Sequence, residues 1–119
     1  VPAEIYIKPH RRGDNWRGIP SIGPILIDSA QPERPLTRVR MQFRKSNVAH
    51  FTIDSNGSGD APAVIVNATT WEAMIPEVKG LSLPAGTYDF DIEYYAGEDT
   101  TPETYHFGFF KVTLDSTRP

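Results

Sequence analysis

Hydrophobic and polar residues alternate along much of this chain, and the alternation has period two. Over residues 37–45 the apolar set Val39, Met41 and Phe43 is interleaved with Arg38, Arg40, Gln42 and Arg44. A strand points successive side chains to opposite faces, so this pattern predicts a half-buried strand with a cationic outer face. Residues 86–95 repeat the design with the opposite charge: Tyr88, Phe90, Ile92 and Tyr94 share one parity, and Asp89, Asp91 and Glu93 share the other. Paired side by side, the two strands would set arginines against carboxylates. No long window carries apolar residues at i, i+3, i+4 and i+7, so no helix is expected.

Residues 104–114 begin with Tyr105, Phe107 and Phe109 on one parity and continue with Phe110, Val112 and Leu114 on the other. A parity switch beside Gly108 predicts a β-bulge there. Shorter β-prone runs occupy residues 3–8, 24–28, 50–53, 63–67, 70–75 and 78–83, with prolines and glycines between them. Leu83-Pro84-Ala85-Gly86 has the make-up of a type I turn, with Pro second and Gly fourth. Roughly seven to nine short strands separated by such turns predict an all-β fold, an antiparallel immunoglobulin-like β-sandwich. A small β-barrel is the alternative.

A length of 119 residues leaves room for one core, so the expectation is a single domain over 1–119 with an extended N-terminal arm over 1–24. The absence of cysteine excludes a disulfide scaffold, a thiolate zinc site, an iron–sulfur cluster and a cysteine nucleophile. Apolar runs are only a few residues long and no secretory signal opens the chain, so no membrane partner is expected. A net charge of −3 argues against direct nucleic-acid binding.

That net charge hides a division. Residues 1–45 hold nine Lys/Arg against four Asp/Glu, a balance of +5; residues 46–119 hold three against eleven, a balance of −8. Pairing within one sheet is the simpler account, since opposite charges across strands are the ordinary arrangement of a β surface. The other account is that oppositely charged patches meet between subunits. In that case Arg11, Arg12 and Arg17, with Arg38, Arg40 and Arg44, form the candidate protein interface.

Individual motifs add little chemistry. Residues 54–60 alternate oxygen-bearing side chains and place Gly59 sixth, like the first half of a calcium loop, but the twelfth position is Ile65, where a carboxylate is needed. A hairpin connection accounts for it better. Arg12-Gly13-Asp14 reads as a turn before Trp16 rather than an adhesive tripeptide, and the sequons at Asn56 and Asn67 read as a turn and a strand end. His10, His50 and His106 match no local ligand spacing, and no nucleophile elbow is present. The expectation is therefore no catalysis, no cofactor and no metal. Trp16, Trp71 and Tyr95 are the candidate stacking platform for a carbohydrate, the basis of an alternative reading as a host-recognition module.

The order of motifs has a counterpart elsewhere. Gly13-Asp14-Asn15-Trp16 is followed by Pro35-Leu36-Thr37 and the arginine-rich strand, then by Leu83-Pro84-Ala85-Gly86-Thr87-Tyr88 and the acidic strand, and last by His106-Phe107-Gly108-Phe109-Phe110. This succession, over residues 8–114, resembles small β-sandwich modules of tailed bacteriophages, such as the N-terminal domain of baseplate upper proteins and related single-domain tail and neck proteins. Asn15 stands where those modules usually have Thr, and residues 19–25 are unusually rich in Pro and Gly. The resemblance implies a virion protein that acts in assembly, without catalysis; on that reading the chain is expected to contact other virion proteins and itself, and its irregular N-terminal arm to pack on a neighbour. The resemblance carries over no ligand or catalytic residue.

Overall fold

The computed structural model describes residues 3–25, 34–97 and 102–114, and among them the chain is all-β, with no helix. The strands are β1 (Ala3–Glu4), β2 (His10–Arg11), β3 (Ile19–Ile22), β4 (Leu36–Lys45), β5 (Val48–Asp54), β6 (Val64–Asn67), β7 (Glu72–Ile75), β8 (Gly86–Ala96) and β9 (Glu103–Thr113). They form two sheets. The larger runs β1-β9-β8-β4-β5, with β2 also on β9; the smaller is β3-β7-β6. β1 and β2 lie parallel to β9, so the larger sheet is mixed where the sequence predicts a wholly antiparallel sandwich: the short arm strands add to the β9 edge in the same direction as β9. Every other pairing between strands is antiparallel.

The alternating strands behave as their sequences dictate. Val39, Met41 and Phe43 on β4 and Tyr88, Phe90, Ile92 and Tyr94 on β8 are all buried, and the intervening charged side chains face outward. The two strands are neighbours, with Arg40 opposite Glu93, Gln42 opposite Asp91 and Arg44 opposite Asp89. Both sheets feed one core, in which Ile22, Ala73 and Ile75 of the small sheet join Met41, Phe43, Phe90 and Phe110 of the large one. Burying each large side chain contributes about 1.5–3 kcal/mol, and this shared interior is what holds the sheets together.

β9 departs from expectation. Its extra residue is Tyr105, because Ile92 faces His106 while Glu93 faces Thr104. Gly108 is not a bulge but an inward position: a Cβ there would lie 2.4 Å from the Ile5 carbonyl oxygen and 2.7 Å from Phe90 Cζ. The inner face of β9 is therefore Gly108, Phe110 and Val112, and Phe109 and Leu114 are left exposed. An inward glycine carries no hydrophobic signature, which is why the parity misleads.

The remaining differences lie outside regular strands. Residues 78–83 form no strand; Val78 makes an isolated bridge to Trp16. Residues 83–86 bend at Ala85, and Gly86, at φ +149°, already opens β8. The Tyr88 hydroxyl donates to the Pro84 carbonyl at 2.6 Å and fixes this corner. The run 24–28 lies partly outside the described residues. The N-terminal arm, expected on a neighbour, is docked on its own domain: β1 and β2 line the edge of β9, and Trp16 is buried in the core.

Candidate interaction surface

The strand arginines are consumed within the chain. Arg38 makes a two-point contact with Asp54, Nε to Oδ1 at 3.0 Å and Nη2 to Oδ2 at 2.6 Å. Arg40 reaches Glu93 Oε1 through Nε at 3.0 Å and Nη2 at 2.6 Å. Arg44 lies 3.0 Å from Asp91 and 3.8 Å from Asp89. The cationic face of β4 and the anionic face of β8 thus meet inside one chain, and the simpler account of the divided charge holds.

Asp54 is the one buried carboxylate among the described residues. Burial alone would push its carboxyl up, but hydrogen bonds from Arg38, the Asn56 amide and Ser58 outweigh it and hold the group below the ordinary aspartate range. The same contact holds the Arg38 guanidinium above its usual value, against a smaller opposing effect of burial. The loop after Asp54 spends its polar groups on itself: Asn56 Oδ1 accepts from the Ser58 amide and hydroxyl, and Asp60 Oδ2 accepts from the Thr52 amide. Among the described residues no cluster of acidic or histidine side chains is arranged to hold a metal ion.

The expected stacking platform does not assemble. Trp16 is buried against Phe43 and Phe110, with ring centroids at 5.5 and 5.4 Å. Trp71 is buried between Tyr94 and Tyr105, and its Nε1 donates to the Arg34 carbonyl at 3.0 Å. It occupies a left-handed backbone conformation, φ +61°, which costs a bulky residue about 1–2 kcal/mol and persists because that pocket holds the indole. Tyr95 is half-buried under the Arg38 guanidinium, 4.9 Å from its ring centre. The three aromatics therefore serve two core regions and one surface contact.

The histidines are equally dispersed. His10 is buried, with Nε2 2.9 Å from the Leu81 carbonyl and its ring stacked on Phe110. His106 Nδ1 shares a 2.7 Å hydrogen bond with the Tyr94 hydroxyl, and burial lowers the imidazole's proton affinity while raising the phenol's pKa. His50 is exposed on β5.

The arm presents a different picture. Residues 12–14 form a turn in which Gly13, at φ +90°, donates its N–H to the Leu81 carbonyl and Arg11 approaches Asp14 at 3.4 Å. Lys8, Arg12 and Arg17 are exposed and make no ion pair among the described residues. Of the six arginines marked out in the sequence, then, Arg38, Arg40 and Arg44 belong to the outer face of β4, while Arg11 ends β2, Arg12 lies on the turn after it and Arg17 on the run into β3.

Between the arm and that run lies a groove of about 370 Å³, lined by residues 5–11 and 14–20. Nothing in the sequence marks it, because neither bank has a regular period and no pattern sets Lys8 apart from any other surface lysine. No family model, curated protein or solved structure matches this chain.

Proposed function

We propose that this chain is a non-enzymatic, immunoglobulin-like β-sandwich that serves as an assembly adaptor or decoration of a bacteriophage particle, in its tail, baseplate or neck. The strand order supports the fold. β9-β8-β4-β5 corresponds to G-F-C-C′ of an immunoglobulin sandwich, and β3-β7-β6 corresponds to B-E-D. The Tyr88–Pro84 hydrogen bond has the position and partner of a tyrosine corner, near the start of the F-like strand. Met41 occupies the centre of the C-like strand, where antibody domains bury a tryptophan, so the likeness is one of topology.

The function rests on the resemblance of the motifs to phage modules and on one structural observation. β4 and β8 neutralise each other within the chain, while Lys8, Arg12 and Arg17 stay exposed and unpaired among the described residues. Surface cations left over in this way are available to a partner's acids. Because the arm is docked on its own domain, the contact is made by the folded surface rather than by arm exchange. The carbohydrate reading loses its basis with the burial of Trp16 and Trp71.

Mass spectrometry of gradient-purified phage particles tests the proposal. The chain is expected at a fixed ratio to the other structural proteins and is expected to survive washing at moderate salt. Its absence from intact particles would overturn the reading.

A further inference from the structure

The groove beside the arm combines three features. Its apolar lining comes from Ile5 and Ile7, which are half-buried, with the buried Trp16 and Ile19 also bordering it. Lys8 and Arg17 line it as exposed cations with no ion pair among the described residues. Its one lining carboxylate, Asp14, lies 3.4 Å from Arg11, so the lining side chains carry more cations than anions: Lys8, Arg11 and Arg17 against Asp14. Tyr6 stands on the arm side, 81% exposed, where it can cover a bound chain.

We propose that this groove binds an extended acidic segment of a partner protein, with one or two apolar side chains against the half-buried Ile5 and Ile7 and flanking carboxylates on Lys8 and Arg17. The proposal rests on the assembly reading for the existence of a partner and adds the site and the partner's chemistry. The volume suits a few side chains rather than a folded domain, since pockets for small ligands begin at about 300 Å³. β3 ends its sheet and borders the groove, but main-chain pairing along that edge is poor. Pro20 lacks an N–H, and the register is interrupted between Ile19 and Ile22. Recognition therefore falls to side chains, and charge decides the class of segment.

Fluorescence anisotropy with labelled peptides tests this. The probe is a nine-residue peptide in which glutamates flank leucine and valine; the comparisons are the same peptide with lysine for glutamate, and polyglutamate. The acidic peptide is expected to bind at about 10–100 μM and at least about tenfold more tightly than its lysine counterpart. Lys8→Glu with Arg17→Glu is expected to reverse that preference with the thermal unfolding midpoint unchanged, and Lys8→Gln with Arg17→Gln to abolish it should charge reversal impair folding. Amide shifts on binding should centre on residues 5–20. No binding at about 1 mM, equal binding of polyglutamate, or indifference to both double substitutions would overturn the proposal. A chain found in purified particles yet blind to the acidic peptide would discard the groove and leave the assembly reading standing. A chain absent from particles that still binds the peptide would do the reverse.

Discussion

Arg38 and Asp54 face each other in parallel, two nitrogens against two oxygens, with the carboxylate side chain only 1% exposed and the guanidinium 30%. Replacing Arg38 by methionine strands a buried charge. The expected loss is about 2–3 kcal/mol at neutral pH, below the figure for a fully sequestered pair because water reaches the guanidinium. The pH dependence follows from the lowered Asp54 value. In the parent, this stability is full above the unfolded-state pKa of about 3.9 and is lost as pH falls through the lower folded-state value. Without Arg38 burial gains weight and raises the carboxyl, so the deficit of the variant should narrow on acidification. Urea midpoints at neutral pH and near pH 4 check this; parallel curves would show that the pair is not the source.

Tyr88→Phe removes only the hydroxyl that donates to Pro84. Pro84 is exposed and its carbonyl can turn to water, so the cost should be about 1 kcal/mol rather than that of an orphaned buried group. Burial also holds the Tyr88 phenol above its ordinary value, against a small opposing effect of Arg12. Its contribution is therefore full below a pH of about 10 and is lost as pH rises through the folded-state value. Thermal unfolding should show the variant less stable at pH 7 and less sensitive to alkali than the parent.

The pairing of β4 with β8 was legible in the sequence because period and charge carried the same message: Val39, Met41 and Phe43 alternated with arginine, and Phe90 and Ile92 with acid. Legibility failed where one of the two signals was missing. Gly108 is an inward residue without an apolar side chain, so Phe107 and Phe109 drew the parity the wrong way. Trp71 sits at a positive φ between strands, where no alternation reports which way a ring faces. β1 and β2 span two residues each, too short for any period, so the docking of the arm and the groove beside it were visible only in three dimensions.

His106 supplies a mild acid sensitivity well above the range of the carboxylates. Its imidazole is half-buried beside Tyr94, and burial depresses its proton affinity. The unfolded chain then takes up a proton first as pH falls below about 6.5, and stability declines from there until the folded-state value is reached. Comparing denaturant midpoints at pH 7.5 and 5.5 should reveal this slope in the parent, and His106→Phe should flatten it. An unchanged slope would show that His106 is not its source.

Gly108→Ala tests how the arm is held. The added methyl would sit 2.4 Å from the Ile5 carbonyl oxygen and 2.7 Å from Phe90 Cζ, and neither the arm backbone nor a packed ring yields freely. Overpacking of this kind costs about 1–3 kcal/mol. The arm is the softer side, because near this point it is tied to β9 by the Ile5 N–H to Phe107 carbonyl bond at 2.8 Å, whereas Phe90 is enclosed by Phe43. Amide exchange at Ile5 should therefore accelerate while the β4–β8 ladder keeps its protection. Gly57→Ala separates steric from backbone cost, since open space surrounds that glycine and only its φ of +82° opposes a side chain. It should destabilise modestly without touching exchange at Ile5. If Gly108→Ala left both stability and Ile5 exchange at parental values, the arm would not be packed on β9, and the groove it encloses would go with it.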